Sequence, residues 1–151
     1  DALPILDRPK GRPALHATPL TPFSYRVIAP KGWGARVQGM DWRRIAALPW
    51  IWTPQDSVHH RLLSEKFAAL GVTPCTVAEV DQEASMLDLV RSGVGLSLAR
   101  DSVALRESQA SGLALVDGLA IHTELSFICL ASRRQEPLIR AAFEAVRQAF
   151  S

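Results

Sequence analysis

Hydrophobic and polar positions change their period several times along the chain, and the changes mark out its elements. DSVHHRLLSEKFAALG places Val58, Leu62, Leu63, Phe67 and Leu70 at helical spacing, with Asp56 or Ser57 as cap and Gly71 as the stop. QEASMLDLVRSG predicts a second helix with Met86, Leu89 and Val90 inward, and RDSVALRESQASG a weaker third. The closing stretch QEPLIRAAFEAVRQAF carries Ile139, Ala142, Phe143, Val146 and Phe150 on one stripe of an amphipathic helix. Between these lie short apolar, β-branched runs that read as strands: YRVIAP, WIWT, PCTVAEV, VGLSLA and LALV. From His122 to Ala131 the period is two, with Thr123, Leu125, Phe127, Cys129 and Ala131 on one face. Glu124, Ser126, Ile128 and Leu130 take the other, so this largely apolar strand is expected to be covered on both sides.

The remaining segments are punctuated by proline and glycine. LDRPKGRPALHATPLTPF has prolines at 9, 13, 19 and 22, which exclude a helix and leave extended chain between two strands. ALPIL before it is a candidate short edge strand, limited by Pro4. PKGWGARVQG reads as a loop, and Asp41 caps one or two helical turns that Pro49 ends. Strands and helices alternate over residues 49–98, which argues for right-handed crossovers, a mostly parallel sheet and an α/β fold. Ligands of such sheets sit beyond the carboxyl ends of the strands, against helix N-termini. The turns at 53–57 (TPQDS) and 80–83 (VDQE) are two junctions of that kind.

Composition narrows the class. The 151 residues are 48% hydrophobic and 21% charged, a balance that supports a packed core. The formal charge of +2 is spread among interspersed acidic and basic residues, which gives little field for nucleic acid or membrane. No apolar run is long enough for a transmembrane helix, and no basic-then-apolar leader opens the chain. Cys75 and Cys129 read as small buried apolar residues, ahead of a disulfide and of a metal pair.

Candidate chemistry is sparse. His59 and His60 are adjacent on a helix, so they diverge by about 100° and cannot clamp one ion. His16 and His122 lack ligands at metal spacing, and the histidines read as solvated or capping residues. No G-x-S-x-G nucleophile elbow is present. The glycines of GVG at 93–95 end a helix and begin a strand, the reverse of a phosphate-binding loop: Gly93 reads as a left-handed stop and Gly95 as a close approach. Trp33, Trp42, Trp50 and Trp52 read as packing rather than a base-stacking platform. Neither a catalytic residue nor a metal or cofactor is expected. What survives is the helix start at Asp81, Gln82 and Glu83: capping by Asp81 explains it, and so does a ligand at the free backbone N–H groups with Gln82 beside it.

The order of these motifs resembles the effector-binding domain of LysR-type transcriptional regulators. The resemblance rests on HATPLTPFSYRVIAPKGWGA, DWRRIAALPWIW, FAALGVTP, MLDLVRSGVGLSLA and FICLASRRQEPLIRAAFEAVRQAF, in that order and spacing. The chain departs from the family pattern after Pro30, where a histidine-proline pair is missing, and at Arg100, where a proline is usual.

The resemblance implies a periplasmic-binding-protein-like (type 2) two-lobed fold, with lobe two complete and lobe one only partly present. Residues 1–24 would end lobe one and form the first hinge, 25–124 would be lobe two, and 125–151 would return to lobe one. It implies effector contact at Gln82 with its neighbours Asp81 and Glu83, at Thr53 and the turn after Trp52, and at Phe23 by the hinge. It further implies a cytoplasmic bacterial regulator that is not an enzyme. Such a regulator would be a homodimer or homotetramer sensing a polar or anionic metabolite, and would reach DNA only through a helix-turn-helix domain outside this chain. With lobe one partial, the Ile139–Phe143–Val146 stripe is expected to be exposed. The alternatives are a solute-binding transporter component, which requires an export signal, and an enzyme of the same architecture, which requires a carboxylate–histidine cluster.

Overall fold

A computed structural model describes residues 13–151, and the expected ALPIL strand lies outside them. The described chain runs β1 (Leu15–Ala29), α1 (Gly34–Val37), α2 (Trp42–Ile45), β2 (Pro49–Trp52), α3 (Val58–Ala69), β3 (Cys75–Glu79), α4 (Glu83–Arg91), β4 (Ser97–Arg100), α5 (Asp101–Ser111), β5 (Ala114–Leu130) and α6 (Pro137–Ala149). It divides into two compact units: residues 13–23 with 122–151, and residues 24–121.

The larger unit is built on YRVIA. Tyr25, Val27, Ile28 and Ala29 are buried, because this half of β1 is a sheet interior rather than an edge. β4 pairs antiparallel with it over Tyr25–Ile28. β2 pairs parallel with β3, and Trp50 makes a parallel bridge to Leu96 at the head of β4, so the strand pairings of this unit are mixed. Helices α4 and α5 close one core through Met86, Leu87, Val90, Val103 and Ala104 against Ile28, Ile51 and Ala99. An aromatic group fills the other side: Trp42, Trp50 and Trp52 all meet the ring of Phe67. Trp50 is fully buried, and its indole N–H donates to the Ile45 carbonyl at 2.9 Å, which removes the cost of burying that polar group. These three tryptophans are packing residues, whereas Trp33 lies apart with the Arg36 guanidinium 4.2 Å from its ring.

In the smaller unit, α6 lies on β5 through Phe143, whose ring meets those of Phe127 (4.6 Å) and His16 (5.3 Å). The expected exposure of the Ile139–Phe143–Val146 stripe is therefore corrected: Phe143 is buried, and Ile139 and Val146 are partly so. The exposed large apolar side chains of the smaller unit are instead Ile128 and Leu130 on the other face of β5, Leu125 on the Phe127 face, Leu138 on α6 and Phe150 just after it. One face of β5 is thus left open.

Several element expectations also change. The proline-rich segment from Leu15 is not a separate extended linker but one strand with YRVIA. β4 reaches only Tyr25–Ile28, so the N–H groups that Pro19 and Pro22 lack would have had no partner on that side. LALV and the alternating 122–130 stretch are likewise one strand, passing through Gly118 at φ 77, which lets the backbone bend without breaking. PKGWGARVQG contains the short helix α1. Cys75 is exposed rather than buried, because β3 has only β2 beside it and shows most of its length to solvent; both cysteines are free.

Candidate functional site

Three strand-to-helix junctions of the larger unit converge on one concavity of about 370 Å³. The β2–α3 junction supplies Thr53, Ser57, Val58 and His59. Asp81, Gln82, Glu83 and Met86 come from the head of α4, and Arg100, Ser102 and Val103 from the head of α5. Tyr25 of β1 completes it. Tyr25, Thr53, Met86 and Val103 are buried and form the floor; Asp81, Gln82, Glu83, Arg100 and Ser102 are exposed and stand round the rim.

The three helix heads are not equivalent. At α3 the Ser57 hydroxyl accepts from the His60 backbone N–H (3.1 Å) and lies in a short hydrogen bond with the Thr53 hydroxyl. That helix start is satisfied from within. At α4 the N-cap is Gln82, not Asp81 as the sequence suggests, and no side chain caps it. At α5 the N-cap is Arg100, again with no side-chain cap. Two helices therefore present uncapped N–H groups and the positive ends of their dipoles at the same cavity.

His59 and His60, adjacent in sequence, have different roles. The Trp52 indole N–H donates to Nδ1 of His60 at 3.0 Å, which locks that ring behind the β2–α3 turn. His59 faces the cavity with its ring edge-on to Tyr25 at 5.1 Å. Burial pushes its pKa down; Glu83 opposes the shift and Arg100 adds to it. It is half-buried in the cavity wall and caps no helix, where a solvated or capping residue is expected from sequence.

Of the residues expected at a ligand, Gln82, Asp81, Glu83 and Thr53 are brought together. Trp52 does not line the cavity, its indole being turned into the aromatic core, and Phe23 belongs to the smaller unit and is not among the lining residues. Sequence reasoning missed Tyr25, His59, Arg100 and Ser102, and reached Ser57 only as part of the turn after Trp52. A signal existed for Arg100 and Ser102: residues 100–102 are a third strand-to-helix junction, of the same kind as 53–57 and 80–83. Among the described residues no group of three or more His, Cys, Asp and Glu is placed to hold a metal ion, and no helix is long and apolar enough to cross a membrane.

Comparison with known proteins fits this architecture. The family model for the LysR substrate binding domain matches residues 3–151. No curated protein matches the chain by sequence. Among solved structures it is similar to the Synechocystis PCC6803 CcmR regulatory domain in complex with 2-PG, with TM-score 0.78, 15% identity, and coverage of 97% of this chain and 72% of that one. It is also similar to the effector-binding domain of QuiR in complex with shikimate (TM-score 0.74, 16% identity, 95% and 68%). Full-length CbnR complexed with its target DNA gives TM-score 0.69 at 16% identity, covering 96% of this chain and 50% of that one. The fold is of the periplasmic-binding-protein-like type 2 class.

Proposed function

Because this chain belongs to the LysR substrate-binding-domain family, a small-molecule-sensing regulatory module, we propose that its effector is held at the cavity where the heads of α3, α4 and α5 meet. The observation that carries this reading is the pair of uncapped helix N-termini, α4 and α5, opening into one concavity with Thr53, Gln82 and Arg100 around it. Its volume of about 370 Å³ suits a small metabolite rather than a polymer. Gln82 both donates and accepts, Thr53 supplies a hydroxyl from the floor, and Asp81 and Glu83 accept from donor groups on the ligand. Trp52 acts behind this layer by holding the His60 ring, while the His60 backbone N–H donates to Ser57 in the turn that carries Thr53. Phe23 is assigned to the hinge region.

The wider assignment follows the same line. Residues 25–124 form the second lobe of a two-lobed domain, while 1–24 and 125–151 belong to the first lobe and the crossings between them. The effector is a polar or anionic metabolite; CcmR with 2-PG and QuiR with shikimate are relatives whose ligands have that character. Binding shifts the population of lobe arrangements and so changes how a DNA-binding domain is held in a homodimer or homotetramer in the bacterial cytoplasm. CbnR, crystallised on its target DNA, is the relative that supports the DNA-binding part.

The test is a promoter-reporter assay with the full-length regulator carrying Gln82→Ala. The expected result is an inducer response shifted to higher effector concentration by about tenfold, the equivalent of one lost polar contact of about 1.4 kcal/mol, with Tm unchanged. An unaltered dose response would count against Gln82 and the cavity together.

A further inference from the structure

The cavity contains a group that the proposed function does not use. Among the described residues no hydrogen bond engages either ring nitrogen of His59, whereas its neighbour His60 is held by Trp52. His59 stands in the wall of the cavity with Tyr25 from β1, Asp81 and Glu83 from α4, and Arg100 from the head of α5, the other ionisable groups that line it. With a neutral imidazole, one positive lining charge faces two negative ones. The open heads of α4 and α5 and the Arg100 guanidinium nevertheless favour an oxyanion. An anion entering such a lining meets the two carboxylates unless a further positive charge arrives with it, and His59 is the lining group able to supply one near neutral pH.

We propose that the effector is an acid whose carboxylate or phosphate group seats between Arg100, His59 and the N-termini of α4 and α5, and that it binds together with one proton taken up on His59. The inference rests on the reading of this cavity as the effector site, and adds ligand class and proton linkage to it. The balance is simple: one proton leaves solvent and joins the free imidazole nitrogen, and it departs when the anion dissociates. Without a bound anion, burial of the ring and the nearby Arg100 outweigh Glu83 and hold the His59 pKa below its ordinary value, so the ring is neutral at physiological pH. A bound anion beside it reverses that preference. Asp81 and Glu83 then select, among acids, those that also carry hydroxyl or amine donors.

The test follows the imidazole Cε1–H resonance of His59 by NMR over a pH series, assigned with His59→Gln, in the free protein and with 2-PG, shikimate or inorganic phosphate added, and with glycerol and ethylamine as neutral and cationic probes. Backbone amides of Gln82 and Ser102 report occupancy in the same spectra. The expected result is that at least one acid saturates those amides and moves the His59 midpoint upward. Its affinity should weaken about tenfold from about pH 5.5 to about pH 8, as a shift of about one unit in a linked group requires. Saturation of the cavity amides with an unmoved His59 midpoint would overturn the proton linkage while leaving the effector site in place. Response of those amides to a neutral polyol or an amine, with none to the three acids, would overturn the ligand class. Silence of the cavity to every probe would overturn the proposal together with the reading on which it rests.

Discussion

Single residues in this chain differ in how far sequence reveals their task. Gly93 and Gly95 were legible: Gly93 sits at φ 83 after α4, and a Cβ on Gly95 would collide with the Pro49 carbonyl. Gly95→Ala should therefore destabilise the larger unit by about 1–3 kcal/mol in urea unfolding, an overpacking cost against backbone that cannot give way. Glu107 was not legible, because its partners lie on another helix. Its carboxylate, buried on α5, takes two hydrogen bonds from Arg91 of α4 and one from Ser111. The Arg91 hydrogen bonds hold its pKa below the usual 4.5, with burial opposing and Ser111 assisting. Since the folded state lowers this pKa, the stabilisation is present above the ordinary carboxylate range and is lost as pH falls through the folded value. Acid titration of Tm should show that loss in the native chain and a smaller one in Glu107→Gln. His59 and Arg100 were hidden for a similar reason: each sits beside residues from separate segments that only the folded chain assembles.

At the scale of elements, helix periodicity carried the reading well and helix ends carried it less well. α3, α4 and α6 occur where their apolar stripes place them, because each stripe has a sheet face to cover. The start of α4 falls one residue later than expected. Asp81 would be the better cap by residue type, yet Gln82 takes the position and leaves the first N–H groups open to the cavity. Capping and ligand contact thus separate experimentally. Ser57→Ala, which removes a real cap, should cost about 1 kcal/mol of stability, whereas Asp81→Ala should change it by less than about 0.5 kcal/mol while altering effector response. Strand lengths were the weak point. Proline and glycine signals at Pro19, Pro22 and Gly118 suggested breaks in what are two long strands, since a proline at an unpaired edge or a glycine at a bend interrupts a local pattern without ending the strand. In the smaller unit, Phe143→Ala should cost about 3–5 kcal/mol, because the ring fills the space between α6, Phe127 and His16.

For the whole molecule, the α/β class was legible from the alternation over residues 49–98, and the family from the order of five loose motifs. The cavity was half legible: two of its three strand-to-helix junctions could be marked in advance, and the third supplied the basic residue that gives the site its polarity. The same three junctions define the central claim, that this regulatory domain senses its effector at the heads of α3, α4 and α5. Hydrogen-exchange mass spectrometry on the full-length regulator tests it most directly, with 2-PG, shikimate and then any metabolite that raises Tm as ligands. The account predicts protection concentrated in residues 53–59, 81–86 and 100–103. Protection confined to α6 and its flanking turn at 131–149, with those three segments exchanging as in the free protein, would contradict it.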